Sequence, residues 1–289
     1  MRNVARDDLE RINWRSSMPF FGFHALAVAG LFVGMDRRSL LLSAVLYFVR
    51  MSFITAGYHR YFAHRSFKTS RTMRLLLAFG GTTAVQKGPL WWAAHHRKHH
   101  LYADTDRDPH SPQRGFWWSH VGWILCDKYK RVDYSDIRDL ARYPELRFVD
   151  RHHWIGPSIL FAICLLVSGY PGVLVSFFLS TVALWHATFA VNSIAHLIGR
   201  RRYETNDTSR NSLWVALATN GEGWHNNHHH YPTSARQGFF WWEIDISYYL
   251  LCALAAVGLV HDVRTPPERI LAPTATVAHR PLSVRGSVR

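Results

Sequence analysis

The chain is poor in cysteine, lysine and acid. Its three cysteines, Cys126, Cys164 and Cys252, show no pairing pattern, and two of them lie inside apolar blocks, which argues against a disulfide framework. Only five of the 34 lysines and arginines are lysine, and Asp plus Glu total 20, so most of the formal net charge of +14 is permanent guanidinium charge. Such charge suits anionic headgroups, phosphates or a nucleotide-bearing substrate. Nucleic acid is not expected as a partner, because the basic residues flank apolar blocks instead of forming a folded recognition module. A signal peptide is also missing: Arg2, Arg6, Asp7, Asp8, Glu10, Arg11 and Arg15 make the N-terminus too long and too acidic for a leader, so it is expected to be retained.

Hydrophobic residues make up 48% of the chain and are gathered into blocks, which points to a membrane protein. Four blocks could span a bilayer: residues 18–35, 39–58, 154–168 and 172–197. Arg50 interrupts the second and must face protein or water. Short turns around Asp36-Arg37-Arg38 and at "SGYPG" (168–172) pair the spans as two hairpins. The expected fold is therefore an all-α integral, multi-pass membrane protein with a helical cap, 59–153 and 198–262, on one side. The densely basic 60–151 segment and the arginines of the N-terminal arm, residues 1–17, put that side in the cytoplasm, with Arg37 and Arg38 a mild counter-signal. Met73–Gln86 and Ile246–Val260 are too short or too polar to span and read as helices at the interface. The pairs Trp91-Trp92, Trp117-Trp118 and Trp241-Trp242 suit that boundary, although core packing accounts for any one pair as well. Residues 263–289 have prolines, small residues and arginines without an apolar period and read as a disordered tail.

Nineteen histidines stand out less by number than by place. "HRYFAH" supplies His59 and His64, "HHRKHH" supplies His96, His99 and His100, "NSIAH" supplies Asn192 and His196, and "HNNHHH" supplies His225, His228 and His229. Two hairpins bring all four clusters to one membrane face. On a helix His96, His99 and His100 share a sector of about 100°, and His225, His228 and His229 repeat the pattern. His59 and His64 stand about 140° apart on an ideal helix, so the second helix is expected to end or distort there. Imidazole is neutral near pH 7 and suits iron, copper and zinc. Nine such donors exceed one metal's needs and fit two; zinc closes with four ligands, a copper pair is open, and an iron pair acting on O2 is preferred for a site beside an apolar tunnel. His95 and His230 stay ambiguous. His110 and His120, with the remaining histidines, read as ordinary polar or interfacial residues.

HxxxxH (59–64), HxxHH (96–100), NSxAH (192–196) and GEGxHNxHHxxP (221–232) together resemble the membrane acyl-CoA desaturases of the stearoyl-CoA, or Δ9, type. "ITAGYHR", "DRDPH", "RGFWWSHVGW" and "EIDISYYLLCALAAVGL" agree, so the likeness runs from about residue 40 to 262. It implies a membrane enzyme with two Fe2+ ions that uses O2 to remove two hydrogens from a –CH2–CH2– unit of fatty acyl-CoA, releasing two waters. It also implies as ligands His59, His64, His96, His99, His100, His196, His225, His228 and His229, with Asn192 acting through a water. His95 replaces an acidic residue of that pattern. Nothing before Met18 or after Val263 is long enough for a haem or ferredoxin domain, so the expected electron source is a separate ferredoxin, cytochrome b type protein or reductase docking on the basic face. The expected location is a bacterial cytoplasmic membrane with the site facing the cytoplasm, in contact with membrane lipid.

Arg114 is expected to help hold the coenzyme A phosphates, and Tyr47, Phe48 and Met51, running back from His59, to line the far end of the acyl tunnel. The alternative floor is the fourth span. Rival readings are an acyl-lipid or acyl-carrier-protein desaturase, a membrane hydroxylase or alkane monooxygenase, and a metal transporter. The last would place polar ligands in mid-span rather than at span ends.

Overall fold

The computed structural model describes residues 9–272. Helix α1, Trp14–Val33, starts at Asn13, whose side chain accepts from the Ser16 amide. Helix α2, Arg37–Ser52, starts at Asp36, which accepts from the amides of Arg38 and Ser39 at 2.9 and 3.0 Å. These two caps fix the ends of the first hairpin, as the short turn requires. The helix does not stop at Ser52. It continues as a π-helical segment, Phe53–Ala63, so the expected span of 39–58 becomes a single run of 27 residues, Arg37–Ala63.

Strand β1, Lys68–Thr69, pairs antiparallel with β2, Val260–His261, and ties the chain after the first histidine pair to the C-terminal part of the cap. Helix α3, Arg71–Thr82, packs on the π-helical segment through Gly80 and Gly81, where a Cβ would lie 2.4 Å from the Phe53 ring and 2.0 Å from the Tyr58 ring. Helix α4, Pro89–Tyr102, has proline in its first turn, and its free amides at Leu90 and Trp91 donate to Asp150 at 2.9 Å. Asp150 comes from α5, Pro144–Arg151, so a remote carboxylate supplies the cap that the local sequence lacks.

The two later spans form one apolar run, Ile155–Leu197, made of α6 (Ile155–Val173), a second π-helical segment (Leu174–Leu179), α7 (Ser180–Asn192) and α8 (Ile194–Leu197). Gly169, with φ 70° and ψ −178°, breaks it. The rings of Phe161 and Phe177 lie 5.6 Å apart, whereas sixteen residues of straight helix would separate them by about 24 Å. The run therefore doubles back as a hairpin. Among the described residues, three helical runs are thus long and apolar enough to cross a membrane, where the sequence suggested four blocks. The arm before Gly169 is only about 21 Å long, below the ~30 Å hydrocarbon thickness, which is why it does not qualify alone. Outward apolar side chains such as Phe32 (81% exposed) and Leu166 (85%) suit contact with hydrocarbon. Arg50 faces protein, donating to Leu46 O, Thr83 O, Ser180 Oγ and Thr181 Oγ1.

Helices α9, His225–His230, and α10, Ile246–Ala256, complete the cap. The chain beyond Val263, expected as a disordered tail, begins ordered: the Ala235 amide donates to Arg264 O, the Arg264 amide to Ser66 O, and Glu268–Leu271 is helical. These backbone bonds carry no sequence signature. The rest of that expectation, 273–289, and the arginines of 1–8 lie outside the described residues.

Candidate metal centre

Four segments deliver the histidines. In the π-helical segment the fifth residue, not the fourth, closes the hydrogen bond: the His64 amide donates to His59 O at 3.1 Å. That brings the two rings edge to face with centroids 4.7 Å apart, so the spacing of five, awkward on an α-helix, becomes the one that brings the pair together. Arg97 locks α4 against the end of this segment by donating to Phe62 O and Ala63 O and pairing with Asp139. The short α9 is held by asparagines. Asn211 Oδ1 accepts from the amides of Asn226 and Asn227, and Asn227 donates to Gln237 O and Glu243 Oε2.

Two groups of converging nitrogens result, each with its ligand atoms within 4.8 Å of one another: His59, His64, His96, His100 and His228, and His99, His196, His225 and His229. Every histidine that the sequence pattern singled out is in one of them. Nearest Nε2–Nε2 distances run 2.8 Å (His64–His96), 2.9 Å (His100–His228), 3.0 Å (His196–His225) and 3.3 Å (His99–His229). Nitrogens about 2.1 Å from one ion in octahedral or tetrahedral array lie roughly 3.0–3.4 Å apart. His95 instead donates through Nδ1 to Trp91 O (2.8 Å) and lies against Trp123, while His230 stacks on Tyr203; neither belongs to a group. His110 forms a smaller set with His99 and Asp108, its ring 4.3 Å from that of His99.

Carboxylates fix the outer nitrogens. Asp108 takes His99 Nδ1 at 2.9 Å, Asp207 takes His229 Nδ1 at 2.7 Å, Glu222 takes His59 Nδ1, and Asp104 lies 3.2 Å from His196 Nδ1, which meets Thr208 Oγ1 while Thr208 donates to Asp104. Burial would raise the Asp108 and Asp207 carboxyls, but the histidines facing them outweigh it and hold both well below the usual range. An ionised carboxylate only accepts, so each of these rings carries its proton on Nδ1 and turns a bare Nε2 inward. With both rings neutral, His99 and His229 face lone pair to lone pair, which in a buried site is repulsive unless a cation, a proton on His99 or a metal ion, lies between them. The donor set therefore fits a pair of metal ions. Burial pushes His96, His100, His225 and His228 well below the ordinary imidazole range, which keeps them neutral donors, and it takes His229 down to about 4. His99 goes up because Asp108 outweighs burial.

Sequence reading missed Asp104, Asp207, Glu222 and Gln237, whose Nε2 lies 3.2 Å from His59 Nδ1. Glu222 sits in the quoted GEG and Asp108 in "DRDPH", but Asp104 and Asp207 stand in turns with no periodic signal.

A cavity of about 570 Å³ reaches the first group at His96, with His110 and Asn192 in its wall. Phe20, Phe23 and Pro157 line it as well. Gln86 donates to Thr188 at 2.8 Å and accepts from Trp92 at 3.4 Å, making a hydrogen-bonded wall beside His96. Lys87 and Lys130 belong both to this cavity and to a smaller basic pocket that adds Arg131. The α2 residues expected at the tunnel's end do not line it: Met51 is fully buried in the core, Phe48 is 48% exposed on the outer surface, and Tyr47 donates to Ala218 O at 2.6 Å. The cavity instead draws on α1 and α7, through Phe20, Phe23, Trp185 and Phe189. Arg114 donates to Glu10 at 2.7 Å and lies over the Trp118 ring.

Residues 39–257 match the fatty acid desaturase family. An sn-2 palmitoyl-lipid 9-desaturase of Nostoc sp. (strain 36) is 39% identical over 271 residues, 91% of this chain and 94% of its own length. An sn-1 stearoyl-lipid 9-desaturase of Anabaena variabilis is 36% identical over 272 residues, 92% and 99%. The acyl-CoA 5-desaturase AL21 of Anemone leveillei is 38% identical over 251 residues, 86% and 78%.

Proposed function

The chain belongs to the fatty acid desaturase family, and from that premise we propose that it inserts a cis double bond, at Δ9, into a saturated fatty acyl chain held by coenzyme A. The observation that carries the reading is the cavity: a mainly apolar space of about 570 Å³ whose wall includes His96 and Asn192. The two groups of histidines would hold two iron ions, with Asn192 available to one of them through a water. Bound iron supplies the O2 activation and C–H abstraction that no side chain can perform.

The protein's share is placement. Phe20, Phe23, Trp185 and Phe189 exclude water and confine the acyl chain. The Gln86–Thr188–Trp92 wall keeps its shape next to His96, so one C–C bond is presented to the site. Asp104, Asp108, Asp207 and Glu222 hold their histidines in the ligating tautomer. Lys87, Lys130 and Arg131 offer the carrier's phosphates a cationic mouth, with Arg114 adding screened charge from its place beside Glu10. We read the doubled-back run as two crossings, four spans in all, in a bacterial cytoplasmic membrane with the histidines on the cytoplasmic side. Electrons arrive from a separate ferredoxin, cytochrome b type protein or reductase.

A second reading, desaturation of an acyl chain already esterified in a membrane lipid, is favoured by the names of two similar relatives. Incubating the chain in phospholipid vesicles with a reductant, O2 and either labelled stearoyl-CoA or a labelled stearoyl lipid separates the two. The expected result is a Δ9 double bond in the stearoyl-CoA without prior transfer to lipid. A product only in the lipid moves the assignment to the second reading, and ¹⁸O from O2 in the acyl product overturns desaturation itself.

A further inference from the structure

A row of aromatic rings leads from one metal ligand to the surface. His110 lies with its ring centre 4.3 Å from that of His99. Trp123 follows at 5.1 Å from His110, Tyr129 at 6.0 Å from Trp123, and Trp118 at 6.4 Å from Tyr129. Each spacing is that of rings in contact. Trp123 and Tyr129 are buried in a cluster of their own, apart from the main core, and Trp118 packs against it half-buried. The guanidinium of Arg114, on the surface, lies over the Trp118 ring at 3.5 Å. His110, Trp123 and Tyr129 also border the cavity.

Packing alone does not account for these residue types. Among the described residues the indole N–H groups of Trp118 and Trp123 are buried without an acceptor, a cost that phenylalanine would avoid. What indole and phenol offer and phenylalanine lacks is ready loss of one electron. An indole whose N–H has no acceptor keeps that proton when it is oxidised, so at Trp118 and Trp123 only the electron has to be put back. At Tyr129 the phenol proton leaves to water in the cavity and returns with the electron.

We propose that His110, Trp123, Tyr129 and Trp118 form an escape path for oxidising equivalents, bringing electrons from the surface at Arg114 to the metal centre when no acyl chain supplies them. This rests on the desaturase reading, in which the –CH2–CH2– unit gives two of the four electrons that reduce O2 to two waters and the separate donor gives the other two. With the cavity empty of acyl chain, the missing two are drawn one at a time from Trp123, through its contact with His110. Tyr129 refills Trp123, Trp118 refills Tyr129, and a soluble thiol at the surface refills Trp118. The balance is O2 + 2 electrons + 2 H⁺ + 2 RSH giving 2 H2O + RSSR. The path spares the ligand histidines, which are otherwise the groups nearest the oxidant.

The outer half of the path is tested without metal, in the full chain in phospholipid vesicles. Cys252→Ser removes the exposed cysteine, Cys126 and Cys164 are buried, and Trp117→Cys at an exposed position carries a photo-oxidising ruthenium complex. A flash with an electron acceptor present should give a phenoxyl radical by electron paramagnetic resonance, lost in Tyr129→Phe and lost equally in Trp118→Phe. No such radical, or the same radical in Trp118→Phe, overturns the path. The inner half is tested in the Fe2+-loaded chain with O2, reductant and thiol but no acyl donor, followed by peptide mass spectrometry. Trp123→Phe, and Tyr129→Phe as the change that best keeps the shape, should bind as much iron as the wild type yet shift oxidation onto His99 and His110. Equal histidine oxidation in all three chains overturns the path. Double bonds formed from stearoyl-CoA by the same preparations report on the desaturase reading separately.

Discussion

Glu222 shows how much the site owes to residues that ligate nothing. It faces His59 while its other oxygen accepts from Arg60, and Arg60 is paired with Asp245 as well, all of them buried. Burial alone would raise this carboxyl, yet His59 and Arg60 outweigh it and keep it ionised. Glu222→Gln should therefore lower metal affinity about 10–100-fold, as removal of a ligand's outer partner does, and titration of the stripped protein with Fe2+ reads it directly. His99→Ala or His228→Ala should go further, leaving fewer than two ions per chain and no desaturation in a protein that still inserts; two ions in either variant would remove that residue from the ligand set. Substrate length is a residue-scale property too. Phe23 packs among Phe177, Phe178 and Trp185 at the cavity wall, so Phe23→Ala should admit longer acyl chains, checked by gas chromatography of products from acyl donors of graded length. The histidines were legible because imidazoles crowded together at the ends of apolar blocks gain little there unless they share an ion. Their carboxylate partners were not, because Asp104 and Asp207 come from turns whose approach depends on how the cap folds. Nor was the cavity wall, since an aromatic on α1 that faces a void reads the same as one that faces a neighbour.

The helices were legible as apolar blocks, but their irregularities were not, and function sits at the irregularities. The distortion expected between His59 and His64 is an eleven-residue π-helical segment, a length that local propensity does not predict and that packing against α3 through Gly80 and Gly81 sustains. Turns show the converse. "SGYPG" marked a reversal correctly, and Gly169 holds it with a positive φ and nothing within 4 Å of where a Cβ would be. Gly169→Ala should thus cost only the backbone penalty of about 1–3 kcal/mol, seen as a modest fall in thermal midpoint, whereas Gly81→Ala drives a Cβ into Tyr58 and should displace α3. An unchanged midpoint in Gly169→Ala would mean the hairpin tip is free to change conformation. Arg50 offers the same lesson in charge: four neutral oxygens answer a buried guanidinium, and only the fold could bring Ser180 and Thr181 opposite it.

At the scale of the whole molecule the arginine excess and the apolar blocks divide the protein into a lipid-facing body and a cationic cap. Electrostatic steering of an acidic electron carrier onto that cap should make turnover fall as salt rises from about 0.05 to 0.5 M, over which the screening length shortens to a few ångströms. Rates measured with a protein donor and with a small neutral reductant separate steering from inhibition, and equal salt dependence for both would leave the cap without a docking role. Lateral charge and membrane burial were readable from composition. The four apolar blocks were readable as well, and the last two of them join at Gly169 into one run that doubles back.

The dispersal of the ligands has a consequence for biogenesis. His59 and His64 leave the ribosome long before His225, His228 and His229, and at about 5–20 residues per second the gap is on the order of ten seconds or more. Neither group of nitrogens can close until the last cluster has emerged and both hairpins have formed, so a metal held by these groups enters a finished site rather than a growing one. A ribosome-stalled nascent chain ending before α9 should insert normally yet retain no metal.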